Sequence, residues 1–172
     1  MLKSKYENIF QHQDNLWWYK GMRAIHESLL KRYLPKNKTL KILDAGCGPG
    51  AALIYLSQFG EVIGVDISEE ALEFARQRGK VKKGDIANLP FKNAVFDVVV
   101  CFDVVYHKWV NIHKALSEIQ RVLKPGGILL IREPAFDWFR SSEDIASQTK
   151  HRFTTGEIKT LLQNSFEILK LT

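Results

Sequence analysis

Three carboxylates, Asp44, Asp66 and Asp85, and a glycine-rich turn carry the chemistry that this 172-residue chain displays. In "DAGCGPG", Gly46, Gly48 and Gly50 follow a G-x-G-x-G spacing. Such glycines let a chain turn tightly and bring its backbone against a ligand with no Cβ in the way. A dinucleotide-binding turn has the longer interval G-x-G-x-x-G and offers a free helix N-terminus to a pyrophosphate. Here position 51 is Ala and Pro49 removes one amide donor. Asp44 would repel a diphosphate, yet it suits a ligand with an ammonium group. Asp66, twenty residues past Gly46, can accept hydrogen bonds from both hydroxyls of a ribose. Asp85, in "KGDIANLPF", is placed to accept from an exocyclic amine. Together the three acids fit a nucleoside that bears a cationic amino-acid tail and no phosphate.

These residues need strands to position them. Short β-branched apolar runs predict strands over 41–46, 61–66, 80–85, 96–102 and 127–133. Helical patterns lie between and after them, over 50–59, 69–78, 112–123 and 155–163. Ser68 before Glu69 and Glu70 reads as an N-cap with acids in the first turn. This alternation predicts an α/β, Rossmann-like, doubly wound and mostly parallel sheet with helices on both faces. Ligands of such sheets bind at the carboxyl ends of the strands. Ahead of the first strand, 17–34 carries apolar residues at helical spacing and stops before Pro35, as a covering helix would. One domain over 1–172 is expected, with a helical cap at 1–38 and the cofactor-binding sheet core at 39–172.

Composition excludes several classes. With 45% hydrophobic and 26% charged residues the chain can bury a core. Its longest apolar run is far short of a membrane span, and "MLKSKYENIF" lacks the apolar centre of a secretory signal, so a cytoplasmic location is expected. Cys47 and Cys101 read as small buried filler, not as a disulfide or zinc framework. The net charge of +6 is dispersed, without the interleaved aromatics of a strand-binding groove, so no nucleic-acid partner is expected.

The chain resembles the class I S-adenosylmethionine-dependent methyltransferases, of the type 11 kind, from about Tyr6 to its end. "ILDAGCGPG", "VIGVDIS", "GDIANLPF", "FDVVVCFDVVYH" and "EIQRVLKPGGILLIREP" resemble five of the family's motifs in order. The resemblance implies S-adenosylmethionine as cofactor and S-adenosylhomocysteine as its product. It implies that Asp44, Ala45, Gly46, Cys47 and Gly48 line the cofactor, with Asp44 reaching its methionine end. Asp66 and Ile67 would hold the ribose side, and Asp85 with Ile86 the adenine. Phe102 or Asp103 would lie near the transferred methyl, and the Tyr19 hydroxyl near the cofactor carboxylate. "DNLWWYKGMRAI" and "EPAFDWFRSSEDIASQTKHRFTTGEIKTLL" are similar to a narrower set that often accompanies sugar or polysaccharide genes.

Methyl transfer from a sulfonium is an in-line displacement in which alignment supplies most of the rate. For a hydroxyl acceptor, His107 in "DVVYHKW" is the candidate base, because it follows the fourth strand into the cleft and titrates near neutrality. His113 reads as solvated. No metal site is expected: Asp103 has no Asp-Asn pair after the next strand. The expected acceptor is a small molecule, methylated at O or N. A non-catalytic binder of S-adenosylmethionine or S-adenosylhomocysteine is the alternative, and an RNA methyltransferase a third reading. Family members continue past "FEILKLT" into one more strand beside the fifth, so that strand is expected to be missing here. The chain would then be a monomer, or a homodimer through its C-terminal edge.

Overall fold

A computed structural model describes residues 3–36 and 38–172. Met1, Leu2 and Asn37 of the expected 1–38 cap lie outside the described residues. Five strands, β1 (Leu40–Ala45), β2 (Gly60–Asp66), β3 (Lys80–Lys83), β4 (Phe96–Phe102) and β5 (Leu123–Arg132), form one sheet. Their order is β3-β2-β1-β4-β5, and every pairing is parallel. The chain winds outward from β1 to β3, then returns to the other side of β1 for β4. The strand order therefore reverses between β1 and β4, and a crevice opens beyond their carboxyl ends.

Both faces of the central strands are buried, which is why their sequences are nearly continuous apolar runs. Successive side chains point to opposite faces. Ile42 and Val98, paired across β1 and β4, pack with Leu30 and Leu34 at the end of α2 (Trp17–Tyr33) and with Leu56 of α3 (Ala51–Leu56). Their neighbours Leu43 and Val99 face the other way, against Ala115, Ile119 and Val122 of α5 (Ile112–Val122). Between α3 and α5 in sequence, α4 (Glu69–Ala75) starts at Ser68, whose hydroxyl accepts from Ala71 N at 3.3 Å as its cap. Two further helices, α1 (Lys3–His12) and α6 (Ser142–Ala146), were not read from the sequence, while α7 (Thr155–Leu162) matches the helix expected over 155–163. α1 buries none of its residues, and so displays little of the periodicity by which helices are read. It is held from outside by Arg78, which donates to the Phe10 carbonyl at 3.2 Å, lies over the Phe10 ring, and donates to both carboxylate oxygens of Asp14 just past the helix at 2.8 and 2.7 Å.

Several boundaries differ from expectation. β3 ends at Lys83, so Asp85 stands in the following loop, not on the strand. β5 starts at Leu123, four residues early, because it pairs with Phe96, bulges through 124–127 and resumes at Ile128 opposite Val98. Asp97, opposite that bulge, accepts from Lys38 and Lys124 at 2.8 and 2.9 Å. Residues 166–172 form no strand among the described residues. No helix is long and apolar enough to cross a membrane among the described residues.

Candidate active site

The glycine turn leaves β1 with φ values of +85°, +50° and +88° at Gly46, Gly48 and Gly50. A Cβ on Gly46 would lie 2.3 Å from Val104 Cγ2, so the turn packs directly on the loop after β4. At Gly48 a Cβ would meet nothing within 4 Å: it would project into open space. The turn's amides are committed internally. Gly46 N and Cys47 N donate to the Val65 carbonyl at 2.7 and 2.9 Å, Gly50 N to the Cys47 carbonyl at 2.9 Å, and Gly48 N to Asp66 Oδ2 at 2.8 Å. With Pro49 carrying no N–H, the turn keeps none of these donors for a phosphate, unlike a helix N-terminus that binds anions.

Acids surround the turn instead. Asp44 is buried at the end of β1, and its Oδ2 has no hydrogen-bond partner among the described residues. Burial pushes its carboxyl up to about 7, the negative charge of Asp66 adds to this, and Arg132 opposes it. Asp66 Oδ1 accepts from Ser68 N at 2.9 Å. Burial raises the Asp66 pKa despite the N–H donors of Ser68, Gly48 and Ile67. Each Asp66 oxygen retains a lone pair for a ligand hydroxyl. Asp85 folds back on its own loop, with Oδ1 accepting from Ala87 N at 2.8 Å. Ile86 is buried beside it and Ile67 is exposed at the rim.

One cavity of about 1680 Å³ takes in Asp44, Gly46, Cys47, Gly48, Asp66, Ile67, Asp85, Ile86, Phe102, Tyr19 and His107. Of the predicted site residues Ala45 alone is not on its wall; alternation along β1 turns its side chain into the core among Leu43 and Val65. Tyr19, half-buried on α2, has its hydroxyl pKa raised by burial and by the charge of Asp103. Phe102 stacks on His26 at 4.0 Å between ring centres and 8° between planes. His26 bonds Tyr55 Oη through Nδ1 at 2.9 Å, and burial lowers its pKa to about 3.

The loop after β4 carries His107. Its Nδ1 is 2.7 Å from the Ser147 carbonyl, which can only accept, so Nδ1 bears the hydrogen and Nε2 keeps its lone pair. Burial holds the imidazole pKa below its ordinary value, and the Ser147 bond opposes that. The same loop is anchored by Glu133, which accepts from the backbone N–H groups of Val104, Val105 and Tyr106 at 3.2, 3.0 and 3.2 Å. Desolvation pushes Glu133 up to about 8 against those three donors. Asp103, in a left-handed backbone at φ +57°, is ion-paired with Arg132. Glu133, Arg132, His26 and Trp109 were missed as site residues. Glu133 and Arg132 carried a signal, being charged residues at the carboxyl end of a strand, where Asp44 and Asp66 also stand.

A parallel sheet with this strand order, acids at the strand ends and an amide-committed glycine turn define a nucleoside-binding class I fold. The family described as a methyltransferase domain matches residues 43–131, just over half of the chain, and the chain belongs to that family: the class I S-adenosylmethionine-dependent methyltransferases. It is 30% identical over 159 residues to a protein of Mycolicibacterium smegmatis described as a probable S-adenosylmethionine-dependent methyltransferase, covering 88% of this chain and 60% of that one. The chain spans about half the length of the curated relatives it matches. A Thermotoga maritima S-adenosylmethionine-dependent methyltransferase, described as a possible histamine N-methyltransferase, superposes with a TM-score of 0.71 at 26% identity, covering 94% of this chain and 75% of that one. Phosphoethanolamine N-methyltransferase 2 of Haemonchus contortus, solved with S-adenosyl-L-methionine, superposes with a TM-score of 0.66 at 26% identity over 83% of this chain and 36% of that one.

The residues present fit the family's cofactor. The unpartnered Asp44 oxygen offers an acceptor to an ammonium group, the open space at Gly48 admits a ligand against the backbone, and the amides of residues 46, 47, 48 and 50 are already engaged within the protein.

Proposed function

We propose that this chain binds S-adenosylmethionine and directs its methyl group to a hydroxyl of a small-molecule acceptor. The observation that carries this reading is the unpartnered, buried Asp44 oxygen beside a turn whose amides are already engaged. Asp44 would hold the ammonium end of the cofactor and Tyr19 its carboxylate end. Asp66 would take the ribose hydroxyls, with Ile67 at the rim; Asp85, through its other oxygen, and Ile86 would frame the adenine. Gly46, Cys47 and Gly48 would supply the backbone wall, and Phe102 would face the reacting end. When bound, S-adenosylmethionine supplies an electrophilic methyl whose bond to sulfur breaks, with its electron pair kept by sulfur, as the bond to the acceptor forms.

The protein's part in the reaction is orientation and proton removal. Stacking between Trp109 and Tyr106, together with the Ser147 bond, fixes the His107 ring. Its Nε2 would take the proton of an acceptor hydroxyl held within hydrogen-bond reach. The burial that lowers its pKa keeps the ring neutral, and so able to accept, at neutral pH. Dispersed basic charge supports a small acceptor over a nucleic acid.

S-adenosylhomocysteine release, measured against a panel of hydroxylated and amine acceptors, tests the reading. Turnover with a hydroxylated acceptor is expected, reduced by about 10²-fold or more in His107→Ala. Failure of every acceptor to give release, in a protein that binds the cofactor, would leave only the non-catalytic binder. Turnover indifferent to His107→Ala would remove the base from its role.

A further inference from the structure

The cavity is larger than the roughly 300–1,000 Å³ that a single small ligand occupies, at about 1680 Å³. Space therefore remains for an acceptor, and four large aromatic side chains are among the residues that line the cavity. Trp109 comes from the loop after β4, Phe136 and Phe139 from the segment after β5, and Trp18 from α2. These four side chains keep 48%, 38%, 55% and 51% of their surface exposed. Large apolar faces held open around a cavity mark a recognition surface, since soluble proteins rarely leave them clustered without use. The wall is also held in place. Trp138 stacks on Phe139 at 3.7 Å between ring centres, and the Trp109 plane lies within 14° of the His107 ring. Phe136 sits at φ +59°, a left-handed conformation that a phenylalanine keeps only where its surroundings impose it.

Charged groups in this region are spent on one another. Asp103 is paired with Arg132, Asp144 with Arg152 at 2.8 Å, and Glu143 with Lys5. Lys20, exposed on α2, also lines the cavity. A polyhydroxylated ligand placed against these aromatic faces would bury hydroxyls without partners, which disfavours it. A flat apolar ring would lose little and gain stacking.

We propose that the aromatic wall of Trp18, Trp109, Phe136 and Phe139 takes the acceptor as a flat, neutral, apolar-bodied molecule with one acidic hydroxyl, a phenol in the simplest case, and discriminates against sugars. This inference rests on the methyltransferase reading of the same cavity. The base agrees with it: a phenol ionises near pH 10 and an aliphatic hydroxyl close to water's value of about 15.7. An imidazole whose basicity is lowered by burial is matched to the more acidic of the two. In the step itself the acceptor oxygen gains the methyl, its proton passes to His107 Nε2 and then to solvent, and the sulfonium leaves as a thioether.

Calorimetry with protein saturated in S-adenosylhomocysteine provides a test that needs no turnover, with 2-naphthol as the probe and methyl α-glucopyranoside as the comparison. Naphthol is expected to bind at least tenfold more tightly than the glucoside. Trp109→Ala and Phe139→Ala are each expected to weaken naphthol about fivefold or more while leaving S-adenosylhomocysteine affinity within twofold, which also shows that each variant is folded. Equal or tighter binding of the glucoside overturns the proposal, as does naphthol affinity that neither substitution changes. Failure of the wild-type chain to bind S-adenosylhomocysteine would instead overturn the methyltransferase reading beneath it.

Discussion

Asp44 holds a proton in the ligand-free protein below about pH 7, because burial lifts its carboxyl to about 7. An ammonium ligand favours the ionised form, so binding releases that proton and affinity rises with pH through the Asp44 titration. From pH 6 to 7.5 the S-adenosylmethionine affinity of the wild type should rise by about fivefold, before the ligand's own α-amine, at about 8, loses its charge. Asp44→Asn should be weaker and nearly flat over this interval, with no proton released when heats are compared in buffers of different ionisation enthalpy. The same slope in both proteins would take Asp44 out of ligand contact. Asp44 and Asp66 were legible in the sequence because each closes an apolar run beside a diagnostic turn. Glu133 was not legible, because its part is to receive three amides from a loop 27 to 29 residues away. Only the pairing of β4 with β5 brings that loop within reach. His107 was legible as a type of residue, but the Ser147 bond that sets its tautomer joins segments 40 residues apart.

At the scale of elements, the β1 turn and the loop after β4 are built as one unit. Gly46 is the joint: an added Cβ would strike the stiff, β-branched Val104 at 2.3 Å and leave an alanine at φ +85°. Gly46→Ala should therefore cost on the order of 1–3 kcal/mol of stability and shift the loop that carries His107. Thermal unfolding checks the first effect. Pairing Gly46→Ala with Val104→Ala should recover the part due to the clash but not the part due to backbone strain. Full recovery would mean that the left-handed turn is not strained. The strands β1, β2 and β4 were legible as apolar runs because a two-sided sheet buries them on both faces. β5 was misread at its start because "KPGG" loops out of a ladder that had already begun at Leu123. α1 was not read because it buries no residue and depends on long-range contacts such as Arg78 with Phe10.

Across the whole molecule, the reversal of strand order between β1 and β4 decides where everything else must lie. It places the carboxyl ends of the two central strands side by side, so Asp44 from one and Phe102 from the other reach the same cavity. The fold class was legible from the alternation of runs, whereas the strand order came only with the pairings of the sheet. The composition of the acceptor wall was not, since α2 and the loops after β4 and β5 contribute to it from three distant stretches of chain. The central claim, a cofactor site for S-adenosylmethionine built on Asp44, Asp66 and the committed glycine turn, is tested most directly by titrating the chain with S-adenosylmethionine in a calorimeter. One molecule bound per chain is predicted, weakened by tenfold or more in Asp66→Ala, or about 1.4 kcal/mol or more, with ATP and NAD giving no heat. Absence of binding, or equal affinity in wild type and Asp66→Ala, would contradict it.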